Sequence, residues 1–335
     1  MDLSVVIGTC NQAPTLRYVL RSFADQTYPA DRFEVVVIDS ESTDDTAAVC
    51  EAGDCPFALV YVRKKNEGKC SARNVGLATA RSGAVLLTDA DVLADPTLVA
   101  AHVAALAEFP GVVVVGQQYM VDWPDHNRLQ ASGFRLQACR ELQPIGSRST
   151  VAPEPEPGAR SPIPAGHPCL NPRWSRGRAL SWRQFVTGNA SLSRETLLEV
   201  GGFDEGFRGY GFEDYELGYR LAGRGVRFVF EPTAINYHFH PVAFESDLVR
   251  KREAGRAAVY FASRHPSRAL RVHLGLTPLN RALYSRIAVF RWLERTCRAL
   301  QGRQSAAGRI ARHMLLEIEY QHGAREAWRD KNRPC

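Results

Sequence analysis

AVLLTDAD, residues 84 to 91, is an apolar run that ends in two carboxylates one residue apart, Asp89 and Asp91. Four similar runs surround it: LSVVI (3–7), EVVVI (34–38), FALVYV (57–62) and VVVVG (112–116). Helical patterns alternate with them, from about Pro14 to Ala24, from Asp44 on, from about Ser71 to Ala80, and from near Pro96. Unbroken apolar runs suit strands buried on both faces. Strands alternating with helices predict an α/β fold with a mostly parallel central sheet flanked by helices. Ligands of such sheets bind beyond the carboxyl ends of the strands. Thr9, Asp39, Asp89 and Asp91 all fall there.

The second half has its own acidic signature. GYGFEDYELGYRL (209–221) sets Glu213 and Asp214 at a helix start behind a glycine turn. INYHFHP (235–241) follows, with His238 and His240 on one face of a strand. In FVTGNASLSRETLLEVGGFDE (185–205), Ser193 is placed to cap a helix that stops at Gly201 and Gly202. Between them, residues 139–183 lose all periodicity and are rich in Pro, Gly, Ser and Arg. A loop of that length in a compact domain is functional or disordered; it is read as a mobile loop beside the acceptor site. These features divide the chain into a catalytic domain, 1–245, and a basic helical extension, 246–335. The catalytic domain comprises a nucleotide-binding half (1–120), the irregular loop (139–183) and an acceptor half (184–245).

With 45% hydrophobic and 23% charged residues, the chain has the composition of a globular protein. No apolar stretch reaches the roughly 18 residues of a membrane span, and no signal-peptide pattern opens the chain. The expected compartment is the cytoplasm. The eight cysteines form no CxxC pair, which argues against structural zinc and for reduced, mostly buried thiols. Charge is uneven: residues 250–335 hold 19 Lys and Arg against 6 Asp and Glu, while residues 1–249 hold 23 against 30. Between Arg281 and Leu300, Leu283, Ile287, Phe290, Leu293, Cys297 and Leu300 recur at helical spacing, opposite Arg291, Arg295 and Arg298. This basic amphipathic helix is expected to pack on the catalytic domain. The alternative is an anchor at an anionic membrane surface, making the protein peripheral at the inner face.

The acidic motifs suit one chemistry. A departing nucleoside diphosphate needs its charge neutralised, and a cation held by carboxylate and phosphate oxygens does this. Of two carboxylates one residue apart, one reaches the metal while the other meets ribose or a metal-bound water. An inverting transfer also needs a base for the acceptor hydroxyl; Asp214 is the candidate, with Glu213 orienting the acceptor or supporting the loop. A neutral imidazole, His238 in preference to His240, completes the metal site. Asp39 is positioned to accept hydrogen bonds from a base or ribose, and Arg73 in NEGKCSARNVGL (66–77) to meet the diphosphate.

Taken together, VVIGTCNQ, DSESTDDT, GKCSARNVGL, TDAD, VTGNASLSR, GGFDE, GYGFEDYELGYRL and YHFHP resemble the family 2 glycosyltransferases of the GT-A fold, in the family's order over roughly the first 240 residues. The second half is similar to the carboxyl-terminal portion of galactosyl- and N-acetylgalactosaminyltransferases. The resemblance implies inverting transfer of a hexose or N-acetylhexosamine from a nucleotide-sugar, usually a UDP-sugar, to a hydroxyl acceptor, assisted by Mn²⁺ or Mg²⁺. The acceptor is a glycan, a lipid-linked glycan or a small molecule, as in polysaccharide biosynthesis. It also implies that Thr9, Asn11 and Asp39 bind the nucleoside end and that Arg73 lies near the donor. Asp89 contacts ribose or a metal-bound water, and Gly188 and Asn189 line the sugar pocket. Asp91 and His238 ligate the metal, and Asp214 is the base. Two departures touch the nucleoside end. Gly8-Thr9-Cys10-Asn11 lacks the usual aromatic, and Asp39-Ser40-Glu41-Ser42 replaces the usual Asp-Asp-Gly-Ser.

Other classes fit less well. Nucleotidyltransferases that make nucleotide-sugars carry a glycine-rich basic loop near the start, where this chain has GTCNQAPTLR (8–17). Neither GxGxxG after the first strand nor GxxxxGK[ST] is present. A non-catalytic module binding membrane or nucleic acid through the basic tail is the third class; the acidic first part argues against it, and nucleic acid is not expected as a partner.

Overall fold

The computed structural model describes residues 1–52, 55–121, 170–171, 174–239, 243–285, 287–303 and 305–331. Most of the 139–183 loop, His240 and the side chains of Leu283, Ile287 and Phe290 lie outside the described residues. Contacts divide the chain into two compact units, residues 1–205 with 214–241, and residues 206–213 with 242–335.

The first unit is built on one sheet. Its strands are β1 (Leu3–Thr9), β2 (Phe33–Ser40), β3 (Ala58–Lys64), β4 (Ala84–Asp89), β5 (Val92–Ala94), β6 (Val112–Val121), β7 (Ala179–Leu180), β8 (Ala190–Ser193) and β9 (Arg227–Phe239). They run in the order β3-β2-β1-β4-β8-β6-β9-β5, with β7 paired to β9. The expected parallel arrangement is found in β3-β2-β1-β4. Beyond β4 the sheet is mixed: β8 is antiparallel to β4 and β6, β6 and β9 are parallel, and β5 and β7 are antiparallel to β9. INYHF belongs, with RFVF (227–230) before it, to the one long strand β9.

Helices α1 (Ala13–Ala24), α2 (Thr46–Glu51), α3 (Lys69–Thr79), α4 (Leu98–Glu108) and α5 (Arg194–Glu199) connect these strands. Every residue of β2 is buried, which is why its sequence is apolar without alternation. One sheet face, including Val5, Ile7, Val35 and Leu86, packs on Leu16, Leu20 and Phe23 of α1 and Leu98 and Val99 of α4. The other face packs Val36 and Ile38 against Ala72 and Val75 of α3. Burying each such side chain contributes about 1.5–3 kcal/mol, so this two-sided burial fixes where the strands end. Ser193 caps α5 as read from sequence, its hydroxyl accepting from Thr196 N at 3.3 Å.

The remaining helices are α6 (Glu213–Gly223), α7 (Phe244–Arg264), α8 (Arg268–His273), α9 (Pro278–Ser285), α10 (Ile287–Leu300) and α11 (Ala306–Lys331). The described residues of the amphipathic stretch 281–300 are helical throughout. Leu293 and Leu300 border a cluster of Leu248, Cys297, Ala311 and Leu315, so α10 spends its apolar side on α7 and α11 of its own unit. Within that unit Phe207 stacks edge-on to Tyr260 at 4.9 Å. Arg252 pairs with Glu319 at 2.7 Å, and Arg256 with Glu326 at 2.5 Å.

Candidate active site

Strand register brings the first group of polar residues to one level. Thr9 pairs with Asp39 across β1 and β2, and Gly8 with Asp89 across β1 and β4. The carboxyl ends of three parallel strands thus present Thr9, Asp39 and Asp89 side by side. Thr9 is 4% exposed, and its hydroxyl has no hydrogen-bond partner among the described residues. Such an orphan costs about 1–3 kcal/mol unless a ligand or water meets it.

Asp39 is fully buried, and both its oxygens are engaged. Oδ1 accepts from Ser42 N at 2.9 Å and Oδ2 from the Tyr61 hydroxyl at 2.6 Å. Burial and this bond push the Tyr61 phenol upward. Asn11 adopts a φ of 53° and turns its side chain to Thr43, with Oδ1 accepting from Thr43 N at 2.7 Å. Asp39 and Asn11 therefore shape the loops at this end of the sheet. Tyr61, which shares Asp39 with that loop, was not singled out by the sequence.

The centre of the site is Arg73. Its place on a helix allowed a solvated side chain, yet it is 4% exposed. Nη2 donates to Asp89 Oδ1 at 2.7 Å, and Nη1 to Asp214 Oδ1 at 3.3 Å. A buried guanidinium needs anionic partners, and here it ties TDAD to the GYGFED helix. Burial acts to raise the Asp89 carboxyl, but Arg73, Lys69 and His238 outweigh it and hold Asp89 below the usual carboxylate range. Asp214 also accepts from Thr187 Oγ1 at 2.9 Å and from Thr187 N at 3.2 Å. Thr187 was missed, although it stands directly before the Gly188–Asn189 pair that was read.

Thr187–Asn189 is a turn clamped at each residue. The Gly188 carbonyl accepts from Thr88 Oγ1 at 3.2 Å and Asn236 Nδ2 at 2.7 Å. Asn189 is fully buried, and its amide donates to the Gln117 and Ala234 carbonyls at 3.1 and 2.9 Å. Gly116 makes room for this: a Cβ there would lie 2.5 Å from Asn189 Nδ2 and 2.3 Å from the Ala234 carbonyl. Asn189 is thus a lock behind the turn, while buried Gly188 leaves no room for a side chain. A Cβ on Gly188 would meet Gln118 Nε2 at 2.8 Å and Asp89 Oδ2 at 3.6 Å.

His102 holds this lock from α4. Its Nε2 lies 2.8 Å from Asn189 Oδ1 and its Nδ1 2.8 Å from Ser191 Oγ. Because Asn189 Nδ2 donates twice, its Oδ1 must accept. The network therefore assigns the proton to His102 Nε2, and Nδ1 accepts from Ser191. Burial pushes the imidazole down to about 4, against smaller opposing effects of Asn189 and Glu231. The available signal was a polar residue in the middle of the apolar helix LVAAHVAALAE.

Asp91 and His238 meet through strand pairing. Val92 of β5 faces His238 of β9, and Phe239 N donates to the Asp91 carbonyl at 2.9 Å. Asp91 Oδ2 then lies 3.5 Å from His238 Nε2. One carboxylate and one imidazole at that separation suit a divalent cation whose other ligands are diphosphate oxygens and water. Among the described residues no three His, Cys, Asp or Glu side chains group as a metal site. Glu213 is 3% exposed, which suits support of the loop better than contact with a substrate.

Known proteins resemble the chain in sequence and in fold. Residues 4–160 match the family model for glycosyl transferase family 2, and residues 175–242 the model for the N-terminal domain of galactosyltransferase. Chondroitin synthase of Pasteurella multocida is 31% identical over 269 residues, 77% of this chain and 26% of that protein. Validoxylamine A glucosyltransferase of Streptomyces hygroscopicus subsp. jinggangensis is 34% identical over 228 residues, 67% of this chain and 52% of that protein. The chain thus spans about a quarter to a half of the length of these two relatives. A mannosyltransferase of Pyrobaculum calidifontis, solved with GDP-Man and Mn²⁺, aligns at a TM-score of 0.59 and 21% identity over 99% of this chain and 88% of that one. At that identity the likeness speaks for the fold. Motif order, matched segments and architecture agree that the chain carries a family 2 glycosyl transferase domain of the GT-A fold, with a galactosyltransferase-type segment in its second half.

Proposed function

We propose that the protein is an inverting glycosyltransferase that moves a hexose or N-acetylhexosamine from a nucleotide-sugar, a UDP-sugar by family resemblance, to a hydroxyl acceptor. The observation that carries this reading is the junction of Arg73, Asp89, Asp214 and Thr187 at the sheet's carboxyl edge. Asp91 and His238 would hold Mn²⁺ or Mg²⁺ together with the donor diphosphate. The cation supplies charge neutralisation to the departing diphosphate. Arg73 adds fixed positive charge beside Asp89, which meets ribose or a metal-bound water. Thr9, Asn11 and Asp39 form the nucleoside end, and Gly188 lines the sugar pocket that Asn189 braces. Thr187 fixes the Asp214 carboxylate, which takes the acceptor proton as the acceptor oxygen bonds to the anomeric carbon and the sugar–phosphate bond breaks. Buried Glu213 supports the loop before α6.

The test is donor hydrolysis and binding across a panel of nucleotide-sugars, with and without Mn²⁺, in wild type and Asp91→Ala. The expected result is metal-dependent release of one nucleoside diphosphate, falling at least about a hundredfold in the variant. Release that needs no metal or survives the substitution removes the metal assignment. No binding of any donor removes the transfer reading.

A second reading concerns the helical unit, proposed as a peripheral contact with an anionic, cytoplasm-facing bilayer. Trp292 is 69% exposed between exposed Arg291 and the next-turn Arg295 on α10, and Ile310 on α11 is 60% exposed. An aromatic flanked by guanidiniums suits the headgroup level. Among the described residues no helix is long and apolar enough to cross a membrane. Sedimentation with phosphatidylserine vesicles should fall as salt rises and be absent with phosphatidylcholine alone. Salt-insensitive or absent binding would remove the contact.

A further inference from the structure

The ribbon WSRGRALSWRQF (174–185) precedes the clamped turn, and the chemistry above leaves it unused. It runs along β9 through β7, where Ala179 and Leu180 pair with Val229 and Phe228. At its end Ser181 fixes a short turn: its N–H donates to Gln184 Oε1 at 2.6 Å and its hydroxyl accepts from Arg183 N at 3.3 Å. The turn sits directly on α6. A Cβ on Gly218 would lie 2.9 Å from the Trp182 carbonyl and 3.2 Å from Phe185, so only glycine permits the approach. Phe185 is fully buried and anchors the turn edge-on to Phe228, with ring centroids 5.8 Å apart.

This docking assembles an aromatic corner. Trp182 stands perpendicular to Tyr219 at 5.3 Å and to Tyr215 at 6.3 Å. All three are partly exposed. The exposed Arg183 guanidinium lies over the Trp182 ring, 5.4 Å from its centroid. Earlier on the ribbon the pattern repeats, with exposed Arg178 over Trp174 at 4.4 Å. Tyr215 immediately follows Asp214 on α6, and Tyr219 stands one turn further on.

We propose that Trp182, Tyr215 and Tyr219, with Arg183, form the docking platform for the acceptor, and that this acceptor is an acidic saccharide. The proposal rests on the glycosyltransferase reading, which makes Asp214 face the acceptor hydroxyl. The ribbon that carries Trp182 packs on Gly218, one helical turn from Asp214, and runs on to Thr187, which holds that carboxylate, so the rest of the acceptor lies along this ribbon. Aromatic rings with a negative face match the C–H face of a pyranose, and the two tyrosine hydroxyls add polar contacts. The carboxylates at the strand ends would repel an anionic acceptor. Guanidiniums placed over the Trp182 and Trp174 rings offset this and offer forked donors to a sugar carboxylate.

The test uses tetragalacturonate as the acidic probe and cellotetraose as the neutral one, each with UDP and Mn²⁺ present. Saturation-transfer NMR reports contact with aromatic protons, and titration gives affinities. Wild type should bind tetragalacturonate more tightly than cellotetraose. Trp182→Ala should weaken both about tenfold or more, the scale of losing one stacked ring and the packing around it. Trp182→Phe, which keeps a ring in the corner, should stay within about threefold. Arg183→Gln should erase the preference for the acidic probe and leave cellotetraose unchanged. Equal binding by all four proteins, or no aromatic contact with either saccharide in wild type, overturns the platform. So does failure of Trp182→Phe to restore what Trp182→Ala loses. UDP titration of the same samples separates the two readings. If UDP binds while the saccharide results fail, the platform falls alone; if wild type does not bind UDP, the transfer reading falls with it.

Discussion

Asp214→Asn is expected to lower sugar transfer at least about a thousandfold while donor affinity stays within about twofold. Removing a general base costs about 10²–10⁴ in rate, and a thousandfold loss corresponds to about 4 kcal/mol of barrier. The substitution preserves size, and the Asn carbonyl can still accept from Thr187, which holds the native carboxylate at 2.9 Å. Arg73 loses one anionic partner but keeps Asp89 at 2.7 Å, so the donor side of the cluster remains paired. An amide cannot take the acceptor proton at neutral pH, so the loss should appear in kcat rather than in donor binding. Single-turnover transfer combined with titration of the donor separates the two. Retained turnover, or a collapse of donor binding, would sink the assignment of Asp214 as the base.

The second large effect is on stability. Between pH 7 and pH 5 the native state should lose about 2 kcal/mol through His102 alone. The sign follows from proton counts. His102 titrates at about 4 in the folded chain against a reference of 6.5, because burial opposes the charged ring. Below pH 6.5 the unfolded chain binds a proton that the folded chain refuses, so acid favours unfolding. The contribution is fully present above pH 6.5 and is lost as pH falls toward 4. Most carboxylates titrate below pH 5, which keeps this window nearly free of them. His102→Gln keeps a donor toward Asn189 but cannot titrate. It should be less stable than wild type at pH 7 and show a shallower fall toward pH 5. Urea unfolding at several pH values reads both. Parallel pH dependences in wild type and variant would remove the assignment.

These two residues also mark how far the sequence could be read. Asp214 was legible because an acidic pair behind a glycine turn is a local pattern. His102 stood as a polar residue within an apolar helix, and nothing nearby said what it would meet. Its partners, Ser191 and Asn189, are 89 and 87 residues away. Thr187 and Tyr61 were passed over for the same reason: each acquires its role only through a carboxylate brought from another strand or helix.

Arg73 and the amphipathic stretch of the extension carry the same lesson. Spacing put Arg73 on a helix and left its side chain open to solvent or site; only the fold sets it between Asp89 and an Asp 141 residues later. The apolar stripe from 281 to 300 was expected to pack on the catalytic domain. Its described part, Leu293, Cys297 and Leu300, packs with α7 and α11 of its own unit.

The sequence by itself determined strands β1 to β4, β6 and the later part of β9, the helices between the first of them and the row of carboxylates at the strand ends; it did not show β5, β7 or β8. Burial of each apolar run is a local requirement, and a run of five to eight residues carries it. The tertiary structure alone decided which carboxylate meets which cation. It set Asp91 against His238 through the β5–β9 pairing, Asp214 against Thr187 and Arg73, and Asn189 against His102. Those pairs depend on strand register and on where α6 docks. A one-residue slip in a strand turns its side chains to the opposite face, and no window of sequence contains both partners.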